Sequence, residues 1–324
     1  MDEFESKLYF TITSEDLEYK RLDIYLAAKI PELSRTLIKK MFLENKINSE
    51  SEKVKLELKC LPPFGTTISV EIPEPEPSYI QAENIPLEIL YEDEFLLIIN
   101  KSAGMVVHPA PGNYSGTLVN AILHHCPDLK GIGQVKRPGI VHRLDKGTSG
   151  VMVIAKEQKT HELLVDMFSR HDLVRKYEAL VLGIKMQAEG TIISHIQRNP
   201  NNRLKMKAYP SKGKEAITHF KVLSTFKHTS HIECTLETGR THQIRVHMSE
   251  LLKSPILNDS VYGFAKEEKH KIKPDIKNIY KDYPHPFLHA KFLSFTHPIT
   301  QKKLSFSHSP PEIFSEVLKA LKNE

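Results

Sequence analysis

Three short stretches set chemistry-bearing side chains where apolar runs end. "PGIVHRLDKGTSGVMVIAK" (138–156) holds one carboxylate, Asp145, between two strand-like runs, with Arg143 ahead of it and Thr148, Ser149 and Gly150 behind. "RKYEALVLG" (175–183) alternates, so Tyr177, Ala179 and Val181 share one strand face. "ETGRTHQIRVHM" (237–248) ends a strand and opens a helix near Thr241, where His242 and Arg245 lie about one turn apart and can face one site. A carboxylate between apolar strands is costly unless paired or hydrogen-bonded. Asp145 could therefore simply hold its turn. It could also be a covalent nucleophile, kept ionised and oriented by an arginine. A tyrosine adds a flat stacking surface and a weak acid–base group. Convergence of Asp145, Tyr177 and Arg245 from three elements favours the chemical role.

The elements that must position these groups read as a mixture. "LEILYEDEFLLIINK" suggests two strands around a Glu-Asp turn, and "GVMVIAK", "KYEALVLG", "AITHFKVL" and "HIECTLETG" suggest further strands. "GTLVNAILHH", "THELLVDMFSRH" and "THQIRVHMSELL" carry helical spacing. Without strict alternation, this predicts an α+β domain over 87–324, built on a mainly antiparallel mixed sheet. The lysine-rich residues 264–284 read as a surface insertion or loop. Residues 73–86, with Pro-Glu alternation, read as an extended linker.

Residues 1–72 form a smaller α/β unit. "RLDIYLAAKI" has helical spacing, and Ser34 suits the N-cap of "RTLIKKMFLEN", whose Leu37, Ile38, Met41 and Phe42 make one face. Arg35 and Lys39 share another face with Lys40 beside them, and "TTISVEI" reads as a strand.

Composition narrows the function. The 324 residues fit one large domain plus a small one, and 40% hydrophobic content supports a core. The apolar runs are too short for a membrane span. The acidic start "MDEFESKLYF" lacks signal-peptide features, so a cytoplasmic location is the default expectation. Cys60, Cys126 and Cys234 are far apart and fit neither a disulfide framework nor a zinc spacing. The 17 histidines give no convincing ligand set, so neither metal nor cofactor is expected. Net charge is +5, but "RNPNNRLKMKAYPSKGK" (198–214) gathers six basic residues and no acid, a solvated loop or the footprint of a polyanion partner.

These motifs resemble those of RluA-type RNA pseudouridine synthases. "NKSAGMVVHPAPGNYSGTLVNAIL", "GIVHRLDKGTSGVMVIAK", "KYEALVLG", "LETGRTHQIRVHM" and "LHAKFLSFTHP" follow in the family's order, and the first 72 residues resemble an S4-type RNA-binding domain. "VVHPAPGN" and that domain point to the RluD-like branch. The resemblance implies that Asp145 is the catalytic aspartate, Arg245 its partner, Tyr177 the residue stacking on the target base and removing its C5 proton, and Arg143 the group that helps flip the uridine. It implies large-subunit (23S) ribosomal RNA or its precursor as partner, helix 69 as target, and action as a monomer, with no membrane involved. Arg35, Lys39, Lys40 and His242 are the further RNA-binding candidates. Ser102, Gly147, Lys253-Ser254, Asn258 and His285-Pro286 depart from the family pattern.

Two rivals compete with this reading. A carboxylate glycosidase needs two acids flanking the bond, and the neighbours of Asp145 are basic. A non-catalytic ribosome assembly protein would use the basic surfaces but not the Asp145, Tyr177 and Arg245 set.

Overall fold

The computed structural model describes residues 7–324 apart from 31, 32, 34, 52, 72–79, 111, 130–132, 135, 136, 184–186 and 264–271. Ser34, the side chain of Leu37 and linker residues 73–79 lie outside the described residues. The chain divides into two compact units, Met1–Ser78 and Tyr79–Glu324. Among the described residues no helix is long and apolar enough to cross a membrane.

The first unit holds strands β1 (Lys7–Thr11), β2 (Ile47–Ser49) and β3 (Thr67–Glu71) and helices α1 (Leu22–Lys29) and α2 (Arg35–Leu43). Its antiparallel sheet has the order β1-β3-β2. The helical spacing explains its core: Leu22, Tyr25 and Leu26 of α1 meet Ile38 and Met41 of α2 over Ile68 and Val70 of β3, all fully or nearly fully buried. At the start of α1, Asp23 receives Nε and Nη2 of Arg21 at 2.9 and 3.1 Å and Nη2 of Arg35 at 2.7 Å. The hydrogen bonds from Arg21, then Arg35, hold its pKa down at about 2.

The second unit is built on strands β4 (Glu88–Glu92), β5 (Leu96–Lys101), β6 (Gly133–Gln134), β7 (Arg137–Pro138), β8 (Ser149–Ala155), β9 (Leu173–Leu182), β10 (Glu189–Arg198), β11 (Met206–Tyr209), β12 (Lys214–Thr225), β13 (Thr229–Leu236), β14 (Leu288–Thr296) and β15 (Lys303–Ser307). Ten of them form one sheet in the order β11-β10-β12-β13-β9-β14-β8-β5-β4, with β15 also paired to β14. The β14–β8 pair is parallel and the other pairings are antiparallel, the mixed, mainly antiparallel sheet of an α+β domain. The helices are α3 (Leu118–His125), α4 (Gln158–Arg170), α5 (Gln243–Val246), α6 (Pro274–Ile279) and α7 (Glu312–Lys322).

The central strands are buried on both faces. Leu97 and Ile99 of β5 point with Tyr177 and Ala179 of β9 toward α3 and α5, whereas Leu96 and Ile98 pack with Leu164 of α4. A capping box starts α3: Thr117 N–H donates to Asn120 Oδ1 at 3.0 Å, and Asn120 N–H returns to Thr117 Oγ1.

Three sequence expectations need correction. Residues 80–86 are not a free linker: Glu83 N–H donates to Asn120 O at 3.0 Å, and Ile80 packs on the core. The described part of 264–284 is not a loose loop, because α6 buries Ile276 against Phe287 and Phe314. Of the two runs around Asp145 only the second is a full strand; the first holds the end of β7 at Pro138 and a single bridge, Ile140 to Ile154.

Candidate active site

The Asp145 loop is anchored from several sides. Behind it, Leu144 is buried in the main core. Ahead of it, His142 accepts from Val153 N–H at 3.1 Å and stacks on Phe168 of α4 at 4.6 Å, and desolvation pushes its pKa down to about 3. After it, Thr148 N–H closes a turn onto Asp145 O at 3.0 Å, and Gly104 N–H holds Lys146 O at 2.8 Å. Gly150 then has φ +124, and a Cβ there would lie 2.3 Å from Ala290 O, so only glycine lets β8 run this close to β14. Lys101, 1% exposed, donates to Ser102 O at 2.8 Å, Met105 O at 2.9 Å and Lys146 O at 3.4 Å, tying two loops together. Its burial outweighs the nearby Asp145 charge and lowers its pKa to about 7.

The helix opening at Gln243 supplies the partner. Arg245 is 7% exposed and donates from Nη1 to Asp145 Oδ2 at 3.1 Å. Its Nε and Nη2 bind Asp259 at 2.7 and 2.9 Å, and Asp259 also accepts from Val261 and Tyr262 N–H. Although burial opposes charge here, the two carboxylates keep the guanidinium firmly protonated. Tyr262 lies beneath it, ring centroid 5.1 Å from Cζ, with its hydroxyl 2.8 Å from His242 Nδ1. Past Val246 the helix widens into a π turn over His247–Leu251, a local irregularity that often marks functional sites.

Asp145, Tyr177, Arg245, His242 and Arg143 line one cavity of about 380 Å³. Tyr177 sits mid-sheet, opposite Cys234 of β13, and is 8% exposed. Burial raises its pKa, so the phenol is neutral near pH 7. The sequence-derived triad is thus brought together. His242, expected as an RNA contact, stands with Nε2 3.9 Å from Asp145 Oδ1, and desolvation lowers its pKa. Its φ of +57 turns the chain into α5. Arg143 is exposed at the cavity. Arg35 belongs to the first unit, where it is paired with Asp23 and where Lys39 and Lys40 are exposed. Lys40 has Glu44 at 3.7 Å.

Comparison with known proteins decides the family. The sequence model of the RNA pseudouridylate synthase family matches residues 95–250. The ribosomal large subunit pseudouridine synthase D of Zymomonas mobilis is 42% identical over 317 residues, covering 96% of each chain. The chain belongs to the RNA pseudouridine synthase family. An uncharacterised RNA pseudouridine synthase of Bacillus subtilis is 40% identical over 309 residues, 95% of this chain and 96% of that one. The structure of human RNA pseudouridylate synthase domain containing 4 aligns with a TM-score of 0.57 and 26% identity over 72% of this chain and 93% of that one.

In this pseudouridine synthase three of the sequence departures, Gly147, Asn258 and His285-Pro286, meet beside the Asp145 loop. A Cβ at Gly147 would meet Pro286 Cδ at 2.7 Å. Asn258 has φ +62 and donates from Nδ2 to His285 O at 3.1 Å. An asparagine tolerates that left-handed backbone better than most residues. Asp259, Tyr262 and Lys101 were not found by sequence reasoning. The one available signal was "NDSVYG", an acid and an aromatic in a turn, which resembles any solvated loop. Among the described residues, Glu92, His125 and Cys126 bring donor atoms within 4.8 Å of one another, a possible metal-ligand group. Lys156 Nζ already holds Glu92 Oε1 at 2.8 Å, which opposes a cation there.

Proposed function

We propose that this pseudouridine synthase isomerises specific uridines of large-subunit ribosomal RNA, with Asp145 as its catalytic carboxylate. The observation that carries the reading is the Arg245–Asp145 hydrogen bond of 3.1 Å inside the cavity that Tyr177 also lines. The bond between uracil N1 and sugar C1′ breaks, a C5–C1′ bond forms, the C5 proton leaves and N1 gains one. A stacked base is out of reach, so the uridine is extruded, which costs roughly a few kcal/mol. Arg143 at the cavity offsets that cost. Asp145 assists departure of the base from C1′, by attack at C1′ or C6 or by glycal formation, and the Arg245 hydrogen bond aims it. Tyr177 stacks on the freed base and takes part in removing the C5 proton.

The ribosomal substrate is supported by the names of the Zymomonas relative and of a Buchnera aphidicola ribosomal large subunit pseudouridine synthase D, 41% identical over 315 residues. The two-helix, three-strand first unit suits an S4-type domain that holds RNA phosphates through Lys39 and Lys40. Helix 69, in assembling subunits or precursors, is the proposed target.

The test is to map pseudouridines in ribosomal RNA of cells lacking the protein, then restore wild-type or Asp145→Asn chain. Wild type should return the missing sites. Asp145→Asn, nearly isosteric, should fold, bind RNA and return none. A tenth of the wild-type rate in that variant would end the aspartate assignment.

A further inference from the structure

Arg175 is a buried cation with no carboxylate bound to it among the described residues. It is 7% exposed, and its Nη2 donates to Glu237 O at 2.7 Å. Nε is buried with no hydrogen-bond partner among the described residues. Its pKa falls because burial disfavours the charge, and the nearby Arg240 adds to the effect. A buried charge left unpaired is strongly destabilising, so an arginine held this way asks for a counter-ion from outside the chain.

The surroundings shape a place for one. The guanidinium carbon lies 5.4 Å from the Phe168 ring centroid. On another side, a Cβ at Gly239 would stand 2.7 Å from Nη1, so the missing side chain leaves room for the guanidinium. Arg175, Gly239 and Arg240 all line the cavity that holds Asp145 and Tyr177. Arg240 uses Nε on Glu215 O at 2.7 Å, which fixes its direction. Two guanidinium groups near each other, with no carboxylate bound to either among the described residues, fit a bidentate oxyanion.

We propose that Arg175 and Arg240 form a binding site for an RNA phosphodiester, one flanking the uridine that enters the cavity. This rests on the reading that the uridine lies beside Asp145. The phosphate then neutralises a charge that the free enzyme leaves uncompensated, and it fixes the sugar relative to the carboxylate. Phosphate contacts position a nucleic acid without reading its sequence, so the site would serve every target uridine equally.

The experiment uses the full-length enzyme and an RNA stem-loop that wild type modifies, with a neutral methylphosphonate placed 5′ or 3′ of the target uridine. At one of the two positions the neutral linkage should lower wild-type kcat/KM about tenfold or more, the size expected for a charge-assisted hydrogen bond. Arg175→Met, which keeps the packing stem, should show a similar loss on unmodified RNA and less than about a further twofold on the methylphosphonate, as one shared interaction demands. Arg175→Lys should recover part of the loss. Wild type indifferent to both linkages would overturn the proposal. So would an Arg175→Met enzyme still losing about tenfold at either linkage. Should Arg175→Met not fold, the wild-type comparison alone decides. Asp145→Asn on the same RNA separates the two claims: if it is inactive while the linkages have no effect, only the phosphate site falls, and if it is active both fall.

Discussion

Nη1 of Arg245 donates to Asp145 at 3.1 Å, and it is the nitrogen left over once Asp259 has taken Nε and Nη2. Asp259 thus sets the plane of the guanidinium, and the guanidinium aims the carboxylate. Asp259→Ala should destabilise the protein by up to roughly 3 kcal/mol, since it leaves the buried guanidinium with Asp145 alone and two N–H groups unpaired. Asp259→Asn keeps the shape and one acceptor, so it should fold and lower kcat more than RNA affinity. Arg245→Lys keeps charge but loses the fork and should also fall well short of wild type. Thermal melts with single-turnover rates decide. An Asp259→Asn enzyme with unchanged kcat would mean the brace is dispensable.

Variants of Tyr177 can separate the proposed stacking from the proposed proton transfer. Its neighbours on the strand face are core residues, and burial raises its pKa. Tyr177→Phe keeps the ring, so RNA affinity should change by less than about twofold while product formation falls sharply. Tyr177→Ala should weaken binding as well, by about 1–3 kcal/mol, the usual worth of a base–aromatic stack. Filter-binding and rate measurements on both variants check this. Full activity in Tyr177→Phe would remove the hydroxyl from the chemistry.

Asp145, Tyr177 and Arg245 stood out in the sequence as polar groups set in or beside apolar runs, and the motif resemblance supplied their roles. Period-2 alternation placed Tyr177 correctly among the inward residues of β9. Asp259 and Lys101 escaped because their roles arise from tertiary contact: Asp259 meets Arg245 across 14 residues, and Lys101 meets Lys146 O across 45. No local period encodes either. Arg35 was read as a free cation because its α2 face is charged, whereas Asp23, 12 residues earlier, captures it. The helix α7 was not foreseen at all, although Phe314, Val317 and Leu321 repeat at three and four residues and are buried.

Two buried histidines predict how stability follows pH. His247 is fully buried between Thr218 Oγ1 and Ser194 Oγ, each 2.9 Å away, and His289 bonds Ser149 Oγ at 2.9 Å. Desolvation lowers both to about 4. The unfolded chain binds these protons near pH 6.5 and the folded chain only near 4. Their stabilisation is therefore complete above pH 6.5 and lost as pH falls toward 4. Near pH 5 the unfolding free energy should drop by about 2 kcal/mol per pH unit from this pair alone. Urea titrations from pH 7 to 4.5 measure the slope, and His247→Asn should halve this contribution. A slope unaltered by His247→Asn would show that His247 does not titrate as described.

The first unit should supply affinity and leave the choice of uridine to the cavity. Lys39 and Lys40 are its exposed cations on α2, whereas Arg35 is bound to Asp23. Phosphate contacts add affinity with little sequence information. Changing Lys39 and Lys40 to Gln should weaken RNA binding and flatten its salt dependence by roughly 0.7 slope units per lost contact, the single-strand figure. Adding Arg35→Gln should flatten the slope by less than either lysine does, because Asp23, shared between Arg21 and Arg35, offsets part of their charge. Pseudouridines formed by the double variant should fall at the same positions at a lower rate. Structured RNA presents its readable bases mainly in loops and bulges, which suits the proposed entry of an extruded base into the cavity. A double variant that modifies a different set of uridines would give the first unit the selecting role. An unchanged salt slope would mean that Lys39 and Lys40 do not face RNA.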